Sequence, residues 1–204
     1  MTTKPDGGAE QRSLIRPVEF RAGVGGAATV TGYAAVFGDT ADIGGYFREI
    51  IARGAFTNTL RTADVRAYFD HDRGRVLGRS TSGTLRLQED QKGLAVEIDL
   101  PDTSDGRDVK ELIQRGDVSG MSFGFSVLRQ EWDETLDPPT RTILEVELRE
   151  VSIVSEPAYE GTSIALRSLE DARKERRQQN FNAAAKRIGM KVSVDLRTRA
   201  MSKA

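Results

Sequence analysis

The sequence RGDVSGMSFGFS, residues 115–126, is the stretch around which the rest of the chain can be interpreted. It follows a short helical pattern and opens a predicted strand. Two serines, Ser119 and Ser122, lie among glycines at positions 116, 120 and 124. Glycine allows a substrate backbone to come close and adopts backbone angles that other residues resist. One of these serines is therefore a candidate nucleophile, although a glycine-interrupted strand more often marks a bulge or a crowded sheet crossing.

A nucleophilic serine needs a general base within hydrogen-bond reach, and this chain has one histidine. His71 follows the segment VRAYF, whose alternation of polar and apolar residues is typical of a half-buried strand. Asp70 and Asp72 flank it. Imidazole exchanges a proton near neutral pH, as the base of a serine hydrolase must. The end of this strand is thus the predicted location of the base.

The composition excludes several classes of protein. The 204 residues are 38% hydrophobic and 30% charged with a net charge of −1, so no global field attracts the chain to DNA or to a membrane. The absence of cysteine excludes disulfides, thiolate zinc sites and a cysteine nucleophile. A single histidine excludes a histidine-rich metal site, whereas a carboxylate site for a hard cation stays open.

Neither a membrane span nor a leader is predicted. No apolar run approaches the roughly 18 residues that a spanning helix needs. The first residues, MTTKPDGGAEQR, lack the apolar centre of a signal peptide. We therefore expect a cytoplasmic protein.

The periodicity along the chain predicts at least six strands and one or two helices, arranged as a mixed barrel or sandwich. The predicted strands cover residues 14–21, 28–37, 65–69, 84–88, 94–100, 118–130, 142–154 and 163–166. Residues 84–100 form a hairpin that closes at Gly93. A helix begins with Ser104 as its N-cap and ends at Gly116.

The two ends of the chain differ in character from its centre. Residues 1–13 are polar and glycine-bearing, and we expect them to be disordered. Residues 14–167 form the predicted folded body. Residues 168–204 are charged and alanine-bearing, which predicts a helical or disordered extension with few apolar contacts.

The order of several motifs carries a family resemblance. GYAAVF, RGAF, DHD, VLGR, GLAVE, RGDVSGMSFGF and LREVSIVSEPAYEGT follow one another over residues 28–166. This ordered set resembles the prohead, or procapsid maturation, proteases of tailed phages. These are serine endopeptidases related in fold to the herpesvirus assemblin proteases. The resemblance implies a β-rich mixed α+β fold: a herpesvirus-protease-like barrel of six or more strands with flanking helices, formed by residues 14–167.

The resemblance also implies a catalytic triad. Its histidine is His71, and its serine lies in GDVSGMSFGF, where Ser122 is preferred and Ser119 is the alternative. The third member is an acidic residue on a later strand, where the herpesvirus relatives have a second histidine. That position falls on Glu150, directly before VSIV. The acid accepts a hydrogen bond from the imidazole and stabilises the imidazolium.

Strand alternation favours Ser122 over Ser119. In a regular strand Ser122 shares a face with Gly124, whereas Ser119 shares a face with Met121 and Phe123. The glycine-flanked face is better suited to close substrate approach, provided that no bulge intervenes at position 120.

Other residues compete for the remaining roles. Asp70 and Asp72 rank below Glu150 as the acid, because side chains adjacent to a strand histidine point to the opposite face. The loop after the last long strand predicts oxyanion-hole N–H groups at Ala158 and Tyr159. The arginine pair of the herpesvirus loop is absent here.

The implied function is cleavage of scaffold and major capsid protein segments, and self-cleavage, inside the procapsid in the cytoplasm of a bacterial host. The resemblance implies no cofactor or metal, no nucleic-acid or membrane partner, and a possible homodimer. Three alternatives stay open. They are a non-catalytic scaffold or shell-assembly protein, a carboxylate-metal hydrolase using Asp70, Asp72 and Glu150, and a polynucleotide-binding barrel. The neutral charge and the aromatic content of 6% argue against the last.

Overall fold

The computed structural model describes residues 2–3, 8–14, 19–22, 28–155, 169–170, 173–187 and 190. The contacts divide the chain into two units, Met1–Leu166 and Arg167–Ala204. The strands of the first unit are β1 (Thr2–Thr3), β2 (Glu10–Leu14), β3 (Glu19–Ala22), β4 (Ala28–Val36), β5 (Thr40–Ile43), β6 (Phe47–Ile51), β7 (Arg66–Phe69), β8 (Asp72–Arg79), β9 (Leu85–Glu89), β10 (Gly93–Asp99), β11 (Gly120–Asp133) and β12 (Thr140–Val154). Its helices are α1 (Thr59–Thr62) and α2 (Ser104–Arg115).

A long antiparallel hairpin of β11 and β12 forms the centre of the larger sheet. The outer edge of β11 pairs with β2 and β1, both antiparallel. The outer edge of β12 pairs in parallel with β7 near its C-terminal end and with β6 near its start. The length and β-branched residues of the 142–154 stretch predicted a central strand, and this prediction is confirmed.

The smaller sheet has the order β3-β4-β10-β9. Its β9–β10 hairpin confirms the sequence prediction for residues 84–100. Gly93 begins β10 where a side chain would not fit, since a Cβ there would lie 2.0 Å from the carbonyl oxygen of Ala35. The described strands thus form two sheets, neither of them closed. The β-rich mixed fold is confirmed, and the predicted barrel is not seen among these strands.

One hydrophobic core joins the two sheets. Val30 and Ile98 enter it from the smaller sheet, and Phe123 and Phe125 enter it from β11. Phe56 packs edge-on against Phe123 with ring centroids 5.6 Å apart. Fully burying a side chain of this size stabilises a fold by roughly 2–3 kcal/mol. Because the odd-numbered residues of β11 face the core, Ser122 lies on the opposite face of that strand.

The N-cap of helix α2 lies one residue earlier than predicted. Thr103, not Ser104, is the N-cap, and its side chain accepts a hydrogen bond from the Gly106 N–H at 3.3 Å. Both residues carry the hydroxyl that a cap requires, so composition alone does not separate them. The helix ends at Gly116, whose φ of +82° confirms the predicted C-terminal glycine.

The prediction of a disordered N-terminus is wrong at residues 2–3 and 10–13, which belong to β1 and β2. The predicted first strand over 14–21 is instead the end of β2 and most of β3, which lie in different sheets. The partners that hold β2 in place are distant in sequence, so local polarity gave no sign of them. The predicted strand over 163–166 lies outside the described residues.

In the second unit, residues 173–187 form a helix whose side chains are exposed. Phe181 is 69% exposed. No helix in the described part of the chain is long and apolar enough to cross a bilayer.

Candidate active site

His71 lies in a strained turn that ends β7. Asp70 and His71 have φ values of +49° and +58°, a region that costs a non-glycine residue roughly 1–2 kcal/mol. The Asp70 N–H donates to the carbonyl of Ile153 at 2.9 Å. The Asp70 carboxylate accepts from the backbone N–H of Ser155 at 2.7 Å and from its hydroxyl at 3.0 Å. These contacts fix the turn against the end of β12.

The turn brings the His71 ring to Glu150. The Nδ1 atom of His71 is hydrogen-bonded to the Oε1 atom of Glu150, and both side chains are partly buried. Gln11 of β2 donates to the same oxygen at 3.5 Å. With Nδ1 engaged by the carboxylate, Nε2 is the ring nitrogen left for proton exchange with a nucleophile.

The competing carboxylates have other partners. Asp70 is bonded to Ser155, and Asp72 accepts from the Gly74 N–H at 2.8 Å. Glu145, which shares β12 with Glu150, accepts from Asn58 at 2.8 Å. Among the described residues, Glu150 is the carboxylate that contacts the imidazole.

Gly124 provides the space that the Glu150 side chain occupies. The two residues are in register across β11 and β12. A Cβ on Gly124 would lie 2.7 Å from Cγ of Glu150 and 2.9 Å from its Oε1, closer than packed atoms allow. The sequence suggested that this glycine admits substrate. In the structure, the Glu150 side chain fills the space beside this glycine.

Ser122 lies on the same face of β11 as Gly124 but is fully buried. Its hydroxyl donates to the carbonyl of Arg12 in β2 at 2.9 Å, and not to His71. The register between β11 and β12 is unbroken from residue 120 to residue 124, so the alternation that favoured Ser122 holds. Ser119 is exposed and precedes the strand.

A cleft of about 310 Å³ opens beside the imidazole–carboxylate pair. Its lining includes Gln11, Arg66, Tyr68, His71, Arg73, Gly124, Arg149 and Glu150. The sequence interpretation missed the arginines and the contribution of β2. Alternation along β7 would have placed Arg66 and Tyr68 on one face, but no local pattern joins β2 to this site.

A cluster of buried charges anchors β2 on the core side of the sheet. Arg12 bonds to Glu10 and to Glu49, each at 2.6 Å, and Arg141 bonds to Glu10 at 2.8 Å and to Glu49 at 3.0 Å. Burial alone raises the pKa of Glu10, but the hydrogen bonds and charges of Arg141 and Arg12 outweigh it and hold that pKa below its ordinary value. Each charge of the cluster therefore has compensating partners.

Two further points concern metal ligands and the oxyanion donors. No group of three or more potential metal ligands occurs in the described part of the chain. The oxyanion candidates Ala158 and Tyr159 lie outside the described residues.

Comparison with known proteins identifies the family of the chain. Residues 16–175 match the family model of the caudovirus prohead serine protease. The prohead protease of Enterobacteria phage HK97 is 39% identical over 139 residues, which cover 66% of this chain and 57% of the length of that relative. The structure of the bacteriophage T4 capsid assembly protease aligns with a TM-score of 0.51 at 10% identity, over 73% of this chain and 98% of that one, and indicates a shared fold. The chain therefore belongs to the caudovirus prohead serine protease family.

Proposed function

We propose that this protein is a serine endopeptidase that cleaves scaffold and major capsid protein segments, and itself, inside the procapsid. The observation that carries the proposal is the bond between the only histidine of the chain and Glu150, on the sheet face that also carries Ser122. A histidine held by a carboxylate through Nδ1 is the arrangement by which serine hydrolases prepare a general base.

In this mechanism Ser122 is the nucleophile and His71 the general base. The Ser122 hydroxyl turns from the Arg12 carbonyl towards His71 and gives its proton to Nε2 as its oxygen attacks the scissile carbonyl. Glu150 stabilises the resulting imidazolium. His71 then protonates the leaving amine, and water hydrolyses the acyl-enzyme. Ser119 is the alternative nucleophile, and the N–H groups of Ala158 and Tyr159 are the proposed oxyanion donors.

The proposed setting follows from the family. The HK97 relative is named a prohead protease and the T4 neighbour a capsid assembly protease. For this chain we propose capsid and scaffold segments as substrates, action within the bacterial host, and a homodimer. Confinement with the substrate inside a shell raises the effective concentration, so a slow enzyme suffices. Kinship with the assemblin barrel is part of the same proposal, as is activity without a cofactor, nucleic acid or membrane.

The test is co-expression of the full chain with its cognate capsid and scaffold proteins, followed by intact mass measurement. Wild type is compared with Ser122→Ala, Ser119→Ala, His71→Ala and Glu150→Gln. We expect cleavage in wild type and Ser119→Ala, and none in Ser122→Ala or His71→Ala. If cleavage is lost in Ser119→Ala but kept in Ser122→Ala, the nucleophile is Ser119, three residues before Ser122.

Two outcomes favour other functions. If EDTA abolishes cleavage while the Ser122→Ala variant still cleaves, the result would favour a metal hydrolase that uses the carboxylates. Absence of cleavage in wild type, with capsid assembly still dependent on the chain, would favour the scaffold or shell-assembly role.

A further inference from the structure

Ser152 carries a buried hydroxyl for which the described residues provide no partner. Its side chain is fully buried, and its Oγ atom makes no hydrogen bond. It lies in the middle of the larger sheet, in register with Ser122 on one side and with Tyr68 on the other. An unpaired buried hydroxyl destabilises a fold, and native structures keep few of them.

The position of Ser152 links it to the nucleophile and to the acid. Directly opposed residues of an antiparallel pair have Cβ atoms roughly 4.5–5.5 Å apart and share a face of the sheet. Ser152 therefore faces Ser122 across the hairpin. It is also two residues from Glu150 on β12, so its side chain points to the same side as the His71 partner.

The Ser122 hydroxyl points away from this group. Its proton is donated to the Arg12 carbonyl on the β2 side of β11, whereas Ser152 and Glu150 lie on the β12 side. A donor on the β12 side would attract the Ser122 oxygen towards the imidazole. The Ser152 hydroxyl is a donor of this kind, and its proton is uncommitted within the described structure.

We propose that Ser152 is a positioning residue for the nucleophile. When Ser122 turns away from the Arg12 carbonyl, the Ser152 hydroxyl donates a hydrogen bond to the Ser122 oxygen and keeps its own proton throughout. The Ser122 proton passes to Nε2 of His71 while the oxygen attacks, and the bond from Ser152 strengthens as negative charge develops on that oxygen. The inference rests on the proposed assignment of Ser122 as the nucleophile.

The test uses the full chain and a fluorophosphonate probe, which Ser122 attacks at phosphorus with release of fluoride and transfer of its proton to His71. The maximal labelling rate kinact and the half-saturating concentration KI are measured for wild type and Ser152→Ala, together with the thermal midpoint Tm. We expect kinact of Ser152→Ala to fall about tenfold to a hundredfold, as for loss of a hydrogen bond to a charged group, with KI unchanged. Its Tm should stay equal or rise, because an unsatisfied hydroxyl has been removed.

The matched control is Ser126→Ala, a buried serine on the same strand as Ser122 that is paired with Glu147 and not with Ser152, and we expect wild-type kinact for it. A wild-type kinact in Ser152→Ala, or a reduced rate that accompanies a lowered Tm, would overturn the positioning role. Failure of wild type to be labelled at Ser122, read by peptide mass, would instead overturn the nucleophile assignment.

Discussion

At the scale of single residues, the site depends on how a long acidic side chain is accommodated in a sheet. The Glu150 side chain on β12 lies over residue 124 of β11 and contacts His71, and this space exists because residue 124 has no side chain. The same register places Ser122 two residues before Gly124, on the same face of β11. Gly124 therefore provides the space in which Glu150 meets His71.

Gly124→Ala should uncouple the pair without removing any catalytic group. The new Cβ would lie 2.7 Å from Cγ of Glu150, so the carboxylate must move away from the imidazole. We expect a loss of stability of about 1–3 kcal/mol from overpacking and a fall of roughly a hundredfold in the labelling rate from misplacement of the acid. Urea unfolding and fluorophosphonate labelling measure the two effects.

Gly74→Ala is the matched control, because its closest neighbour would be an exposed Asp72 oxygen at 3.2 Å. We expect it to leave the labelling rate near that of wild type. If Gly124→Ala labelled as fast as wild type, the contact between Glu150 and His71 would not be needed for activation of the serine.

At the scale of elements, β2 connects the charge cluster to the site. The side chain of Arg12 enters the cluster on the core side of the sheet. Its carbonyl accepts the Ser122 hydroxyl, and its neighbour Gln11 reaches Glu150 on the other side. The ion pairs on one face of β2 thus hold in place the hydrogen bonds that its residues make to Ser122 and Glu150.

Arg12→Met should loosen β2, because it leaves Glu10 and Glu49 with too little positive charge in a buried setting. Removing one partner of such a group costs about 3–5 kcal/mol. We expect loss of that size in urea unfolding, or faster amide hydrogen exchange confined to residues 10–14 if the strand detaches alone. Arg86→Met removes an exposed arginine with two acidic partners and should cost less than about 1 kcal/mol. Equal losses in the two variants would contradict the anchoring role of the cluster.

At the scale of the whole molecule, the sequence predicted the elements that have a strong local pattern. Alternation in LAVEIDL, the capping signals around α2 and the β-branched run of β12 each specify structure within one window. The His71–Glu150 contact was also anticipated, from the family resemblance. These elements and this contact could be predicted because each lies in or beside a recognisable motif.

The contribution of β2 was not accessible in the same way. Residues 1–13 are polar, and polarity without periodicity ordinarily indicates disorder. The order of residues 10–14 depends on Glu49 and Arg141, which are 37 and 131 residues distant from their partners. Such pairing is a property of the assembled sheets. The division of the strands between two sheets is likewise set by tertiary packing, which explains why the strand pattern alone did not separate a barrel from a sandwich.

The distribution of acidic groups predicts how the stability of the whole molecule depends on pH. Hydrogen bonds from Arg79 lower the pKa of Asp64 to about 2, those from Arg86 lower the pKa of Asp99, and Arg141 and Arg12 hold that of Glu10 below its ordinary value against burial. A carboxyl whose pKa is lower in the folded state stabilises that state above its unfolded pKa of about 4 and loses this contribution as the pH falls through the folded value.

We therefore expect the urea midpoint to be level from neutral pH to about pH 5 and to fall steadily between about pH 4 and pH 2. In 0.5 M NaCl the contribution of the exposed Asp64 to this fall in midpoint should shrink. The contribution of buried Glu10 should persist, because salt screens buried pairs poorly. Glu10→Gln should be less stable at pH 7 and lose less on acidification than wild type. A wild-type midpoint that stays constant down to pH 2.5 would mean that these carboxylates are not paired in solution, and that the cluster holding β2 beside Ser122 does not form.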